Sequence, residues 1–325
     1  MHAFDYASPS TVPGALELAR PGSAFLAGGT TLVDLMKLDV VTPDRVIDVN
    51  GLPLKGIRLH AGAVRIGALE RMSDVAAHPV VTATHPMISR ALLLSASGQL
   101  RNMASIGGNL MQRTRCDYFR DVTSACNKRL PGSGCPALTG INRGHAILGT
   151  SDACAATHAS DVAVAFVALE ARVVLRSRDG DRTVPLEDFY RLPGSTPEQE
   201  NVLGPGELIA EVAVPMLPWA RNSTYLKIRD RQSYEFALTS VAAAVHLRRG
   251  VVQDVRLAAG GVGTKPWRLR AVEERLKGGV AMERTFADAA ESAVDGARPL
   301  AHNAFKTSLL KRTIVRALLD AAGVR

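Results

Sequence analysis

The sequence predicts an α+β protein: strands and helices joined by glycine turns come first, and a sheet backed by helices closes the chain. Three features point to it. Residues 24–38 read as a buried strand, a Gly-Gly-Thr-Thr turn and a helix, inside a β-α-β-α-β unit that fills the first 50 residues. Residues 56–69, 171–176 and 207–215 alternate apolar and polar side chains, the mark of antiparallel strands with one wet face. Beyond residue 222, three strands precede three helices, the order in which helices gather on one face of a sheet.

Taken in order, residues 4–6 form a short strand and Ser8-Pro9-Ser10 a turn. Thr11 caps a helix over residues 15–20, with Pro13 in its first turn. Strands follow at 24–27 and 45–49, with a helix over 32–38 between them. Ile57, Leu59 and Ala61, then Val64 and Ile66, set an antiparallel pair with its turn near 61–63. Helices start at Ser73 or Asp74 and again over 86–95. A second glycine turn, Ser105-Ile106-Gly107-Gly108-Asn109, follows.

From 111 to 157 no regular period is visible, and a loop of this length inside a compact domain is uncommon unless it is functional or disordered. Regular structure resumes with a helix over 162–169, a strand over 171–176 and the hairpin signal Asp179-Gly180. A small helix covers 186–190, a polar loop 194–201 and a strand 207–215. Residues 215–222, with two prolines, form a linker. Strands over 223–228, 241–248 and 251–260 lead to helices over 268–277, 286–294 and 303–322.

Apolar residues make up 46% of the chain, ordinary for a globular protein. No apolar run approaches the roughly 18 residues of a membrane helix; the richest, 162–169, ends at Glu170. The N-terminus shows no secretory pattern, so the expected location is the cytoplasm, or the periplasm by co-export with a signal-bearing partner. The net charge of +8 is interspersed with acidic residues and aromatics are few, so nucleic-acid binding is not expected. A basic face for acidic partner subunits fits the same charge.

Strand, glycine turn and helix start together suit a phosphate, because backbone N–H groups come close and the helix end is partly positive. The turn at 28–31 is neither G-x-G-x-x-G nor a P-loop, and alone it also reads as a plain junction. The second turn at 105–109 adds weight, since two such turns can approach two parts of one ligand.

All four cysteines, Cys116, Cys126, Cys135 and Cys154, fall within 39 consecutive residues, spaced C-x9-C-x8-C-x18-C. Without a signal peptide a disulfide framework is not expected. Four thiolates suit zinc or an iron–sulfur cluster. Tight zinc-type pairs and ferredoxin spacings are absent, so a [4Fe–4S] cluster ranks above zinc, and [2Fe–2S] third. Buried free thiols are the bland alternative, set aside because Arg113, Arg115, Asp117, Arg120, Asn127, Lys128 and Arg129 surround them. His60, His78, His85, His145, His158 and His246 show no H-x3-H ligand spacing and read as structural.

Further marks are Ala159-Ser160-Asp161, Glu207-Leu208-Ile209, Tyr225-Leu226-Lys227 and Gly260-Gly261-Val262-Gly263-Thr264-Lys265-Pro266-Trp267-Arg268. With the two glycine turns, these residues make the chain resemble the FAD-binding medium subunits of the molybdenum hydroxylases. That family includes xanthine dehydrogenase, carbon monoxide dehydrogenase and aldehyde oxidoreductases. The resemblance implies an FAD-binding domain of the p-cresol methylhydroxylase/vanillyl-alcohol oxidase type in two subdomains, 1–55 and 56–217, with an insertion at about 111–157. An α+β domain with a three-stranded sheet and helices would follow over 222–325. The cysteine-bearing insertion resembles that of the [4Fe–4S]-containing subunit of bacterial periplasmic aldehyde oxidoreductases, and also of 4-hydroxybenzoyl-CoA reductases. The context Thr114-Arg115-Cys116-Asp117-Tyr118-Phe119-Arg120 is more similar to the aldehyde group.

By the same resemblance, Phe25, Leu26, Ala27, Gly28, Gly29, Thr30, Thr31 and Leu32 would wrap the FAD pyrophosphate. Ala104, Ser105, Gly108 and Asn109, with Gln112 beside them, would hold the other side of the dinucleotide. Thr157 and Asp161 would contact the cofactor after the insertion, Ile209 would pack on the ring system and Lys227 would reach its polar edge. Cys116, Cys126, Cys135 and Cys154 would ligate the cluster. One departure is Tyr234-Glu235-Phe236-Ala237 where many relatives carry Asp-Ile-Ala, which bears on the access of an external nicotinamide to the ring.

The implied function is electron transfer through FAD from a large molybdenum-cofactor subunit and a small [2Fe–2S] subunit to an external acceptor. The assembly would be a heterotrimer or a dimer of it, and no catalytic side chain for substrate is expected here. A 4-hydroxybenzoyl-CoA reductase-like subunit and a stand-alone FAD oxidase with structural zinc are the alternatives.

Overall fold

The computed structural model describes residues 1–324. The chain opens with β1 (Asp5–Ala7), α1 (Val12–Leu18), β2 (Ser23–Leu26), α2 (Leu32–Lys37) and β3 (Arg45–Asp48). The three strands form a parallel sheet in the order β1-β3-β2. Thr11 caps α1 through its hydroxyl, which accepts from Gly14 N at 3.2 Å. The helix begins earlier than the pattern suggests, because Pro13 is tolerated in a first turn where N–H groups lack partners anyway. Val12, Leu16, Ile47 and Leu54 bury their side chains against Leu208 and Ala210 of a later strand.

Next come β4 (Ile57–His60), β5 (Ala63–Gly67), α3 (Met72–Ala77), α4 (Pro79–Thr84), α5 (Pro86–Leu94), α6 (Gly98–Met103) and α7 (Ile106–Leu110). After α8 (Asp117–Arg120) and a single turn at Pro136–Leu138, α9 (Asp161–Ala168), β6 (Arg172–Ser177), β7 (Gly180–Pro185), α10 (Leu186–Phe189) and β8 (Leu208–Pro215) complete this part. The strands make an antiparallel sheet, β4-β5-β8-β6-β7. All eight residues of α9 are buried, as a helix apolar on every side must be, and its first residue, Asp161, is its one charge. His85 is buried, its Nε2 3.0 Å from the Pro215 carbonyl, and burial pushes its pKa down.

The C-terminal part contains β9 (Ser223–Ile228), β10 (Thr239–Arg248), β11 (Val251–Gly260), β12 (Trp267–Arg268), α11 (Arg270–Leu276), α12 (Glu283–Ala290) and α13 (Phe305–Ala322). The sheet order is β12-β11-β10-β9, antiparallel throughout. It thus carries a two-residue strand beyond the expected three. Arg268 is held there by Glu273 (Nε–Oε1 2.5 Å) and by the Val167 carbonyl, so the chain pairs with β11 before it turns helical. Leu310, Ile314, Ala317 and Leu318 of α13 are buried in the core of this part.

Long as it is, the 111–157 segment is tied down by polar side chains. Arg129 donates to the Tyr118 and Phe119 carbonyls at 3.0 and 2.7 Å. Asn127 bonds Gly134 N and the Ala153 carbonyl. Asn303 donates to the carbonyls of His145 and Ala146, and Asn142 reaches the Ala137 carbonyl and His302 N. The buried Lys306 ammonium donates to three carbonyls, Gly144, His145 and Gly261, at 3.0, 3.0 and 2.7 Å. These bonds satisfy backbone groups that no strand or helix serves.

Burial, and then the nearby Arg143 guanidinium, pull the Lys306 pKa down to about 7 from 10.5. Between those pH values the unfolded chain binds a proton that the folded chain lacks, so folded stability rises with pH. The expected result is a gain of about 1–3 kcal/mol between pH 7 and pH 9 that is missing in Lys306→Met. Urea unfolding of both chains at the two pH values checks it; parallel curves contradict it.

Among the described residues, no helix is long and apolar enough to cross a membrane.

Candidate functional site

The two glycine turns lie against each other. A side chain on Gly28 would place its Cβ 2.0 Å from the Met103 carbonyl oxygen, so the first turn can only sit on residues 103–104 as glycine. Gly107 donates its N–H to the Ala68 carbonyl at 2.8 Å, and a Cβ there would come 3.0 Å from the Ala68 Cβ. Asn50 donates to the Ala27 carbonyl at 2.9 Å and accepts from Arg71, which also donates to the Met103 carbonyl. One side-chain network thus holds both turns. Ser105 caps α7, its Oγ accepting from Gly108 N at 3.1 Å.

Two cavities meet at these turns, sharing Thr30, Thr31 and Gly108. One, of about 270 Å³, is chiefly apolar and lined by Phe25, Leu32, Leu35, Val49, Leu69 and Ile209 among others. The other, of about 410 Å³, is more polar and lined by Asp34, Arg115, Arg120, Asp161 and Lys227 among others. An apolar chamber and a polar chamber joined at a backbone cradle suit a ligand with two ring systems and an anionic waist.

The polar chamber is built around Asp161 at the start of α9. Its carboxylate accepts from Lys227 Nζ at 2.8 Å, Tyr225 OH at 2.6 Å and Ser95 Oγ at 3.0 Å. Lys227 also donates to the Leu94 carbonyl at 3.1 Å. Burial first, and then the Asp161 charge, raise the Tyr225 pKa well above 10, so it stays a donor. Ser160 caps α9 at Ala163 N and donates to Asn109 Oδ1 at 2.5 Å, which links the second turn to α9. On the opposite wall, Arg120 makes a two-pronged pair with Asp34 at 2.8 and 3.1 Å, and Arg115 a single bond at 3.2 Å. The Arg120 hydrogen bond leads the causes that hold the Asp34 carboxyl below its ordinary range.

Of the expected cofactor residues, Phe25, Ala27, Gly28, Gly29, Thr30, Thr31, Leu32, Ser105, Gly108 and Ile209 line the apolar chamber. Thr30, Thr31, Ala104, Gly108, Asn109, Gln112, Asp161 and Lys227 line the polar one. Ile209 and Lys227 therefore face different chambers. Leu26 belongs to β2 and lines neither, and Thr157 lines two narrow neighbouring clefts instead. Tyr225, Ser95, Asp34 and Arg120 were not among the expected residues. The spacing of Tyr225 two residues before Lys227, on one face of a strand, is the sequence signal that could have found it.

The expected [4Fe–4S] cluster on Cys116, Cys126, Cys135 and Cys154 is corrected by the structure. All four are free cysteines lining one small space of about 10 Å³, room for about one water molecule. Among the described residues, no group of three or more His, Cys, Asp or Glu is arranged to hold a metal ion. Burial raises the Cys116 pKa to about 12 and raises those of Cys135 and Cys154. Cys116 Sγ lies 3.2 Å from His145 Nε2, and Cys154 Sγ accepts from Ala156 N at 3.4 Å. The residues present do not fit an iron–sulfur cluster. Order in this segment comes from the Asn, Arg and Lys side chains described above.

Residues 2–217 match the family described as the FAD binding domain in molybdopterin dehydrogenase, and 224–321 the CO dehydrogenase flavoprotein C-terminal domain. The chain is 49% identical to the aldehyde oxidoreductase FAD-binding subunit PaoB of Escherichia coli, over 99% of both chains. It is 29% identical to the glyceraldehyde dehydrogenase medium chain of Sulfolobus acidocaldarius, over 85% of this chain and 81% of that one. Among solved structures, carbon monoxide dehydrogenase from Hydrogenophaga pseudoflava superposes with a TM-score of 0.76 at 26% identity, covering 99% of this chain and 98% of that one. With both parts of the chain matched, it belongs to the FAD-binding medium subunits of the molybdenum hydroxylases and is a subunit of an oxidoreductase.

Proposed function

We propose that this chain carries FAD and passes electrons in a multi-subunit, molybdenum-dependent aldehyde oxidoreductase. The observation that carries the reading is the pair of chambers joined at two glycine turns, in a chain 49% identical to an aldehyde oxidoreductase FAD-binding subunit. FAD, when bound, accepts electrons from partner centres and hands them to an external acceptor.

The chain's own residues position it. Gly28 lets the first turn pack on Met103, and Thr30, Thr31 and Gly108 line the junction of the two chambers, where the pyrophosphate would lie. The larger, polar chamber suits the isoalloxazine, whose pyrimidine edge needs hydrogen-bonding partners, and the apolar chamber suits the adenine. Ile209 then packs on the adenine side and Lys227 faces the flavin side. We assign subdomains at 1–55 and 56–217 and a C-terminal unit at 222–325, each holding one of the three sheets. A large molybdenum-cofactor subunit and a small [2Fe–2S] subunit are the proposed partners. Arg231, Tyr234 and Phe236 also line the polar chamber, with Tyr234 in the left-handed region at φ +52°.

The test is anaerobic addition of an aromatic aldehyde to the complex co-purified through a tag on this chain. Bleaching of the flavin absorbance, lost when the large subunit is omitted, is expected. A flavin that stays oxidised with all subunits present contradicts the reading.

A further inference from the structure

We propose that Arg115 supplies the uncompensated positive charge that raises the reduction potential of the flavin. The inference rests on the reading that the flavin ring occupies the polar chamber.

Four cations and three carboxylates line that chamber. Lys227 is matched by Asp161 at 2.8 Å, and Arg231 by Glu235 at 3.2 Å. Arg120 and Arg115 share the single carboxylate of Asp34. Arg120 takes both of its oxygens, and Arg115 has one bond of 3.2 Å. The Arg115 Nε is buried and has no hydrogen-bond partner. Its guanidinium carbon lies 5.1 Å from the centre of the Phe236 ring, and both residues line the chamber. The charge left over is therefore that of Arg115, and it sits in a partly dry place where Coulomb interactions are strong.

Reduction of the flavin adds two electrons and one proton, which leaves one negative charge on the ring. A fixed cation beside the ring favours that form over the neutral oxidised one. Among the described residues, Lys227 and Arg231 each have a carboxylate of their own and Arg120 holds both oxygens of Asp34, so Arg115 is the least compensated cation of the chamber.

The experiment is dithionite titration of the FAD-loaded full chain against a reference dye, with FAD affinity measured in parallel. Arg115→Gln is expected to lower the reduced-to-oxidised ratio at fixed potential about tenfold, ~30 mV for a two-electron couple. Arg115→Lys keeps the charge and is expected to keep most of the potential. Asp34→Asn removes the shared carboxylate and is expected to shift the potential upward; it also carries the test if Arg115→Gln takes up no FAD. An unchanged potential in FAD-loaded Arg115→Gln overturns the proposal, as does Arg115→Lys behaving like Arg115→Gln, or Asp34→Asn leaving the potential unmoved. A wild-type chain that binds no FAD sinks the underlying functional reading instead.

Discussion

Gly28→Val abolishes FAD binding, with an expected loss of about a hundredfold or more in affinity, ~2.7 kcal/mol. The reason is geometric. Even the first carbon of a side chain would fall 2.0 Å from the Met103 carbonyl oxygen, so one turn must move off the other. The two chambers share their waist at Thr30, Thr31 and Gly108, and displacing the first turn opens that waist. Gly144→Ala is the control: its added carbon meets nothing within 4 Å, and FAD affinity should stay as in wild type. A fluorescence titration with FAD reads both variants, and circular dichroism confirms that they fold. A Gly28→Val chain that binds FAD normally contradicts the cradle.

Asp161→Ala destabilises the apo chain by about 3–5 kcal/mol. Removing the carboxylate leaves the Lys227 ammonium buried without its charge partner and the Tyr225 hydroxyl without its acceptor, while Ser95 keeps the Ala91 carbonyl. The cost is that of a stranded charge, so Asp161→Leu combined with Lys227→Met should recover at least half of it, since replacing a whole buried pair is far milder than breaking it. Urea unfolding in the absence of FAD gives the measurement, because bound ligand would add stability by mass action. A loss below about 1 kcal/mol places Lys227 in water and contradicts the buried pair.

Much of this was legible in the chain because local patterns decide it. The glycine turn at 28–31, the alternating strands on either side of the insertion and the strands-then-helices order at the end appear as read, whereas most of the turn read at 105–109 is the short helix α7, capped by Ser105. Asp161 and Lys227 were both expected at the site, and the structure joins them in one ion pair. The wall made by Asp34, Arg115 and Arg120 was not legible, because it pairs residues more than 80 positions apart, which no spacing announces. Strand β12 is only two residues long and is held by Arg268, whose buried partners lie on two other elements.

The cysteines show the opposite failure. Their confinement to 39 residues suggested a shared ligand, and they do line one space. Spacing carries no information on volume, and that space is small, with no group of three or more ligating side chains arranged to hold a metal among the described residues. The segment's order was credited to them, whereas Lys306, Asn303, Asn142 and Arg129 hold its backbone through carbonyls spread over the C-terminal part and the segment itself.

The flavin content of the purified full-length chain tests the central claim most directly. The structure predicts about one FAD per chain once FAD is supplied in excess, retained by Gly144→Ala and lost by Gly28→Val. A folded wild-type chain that takes up no FAD under those conditions would contradict the reading of the two chambers as a flavin dinucleotide site.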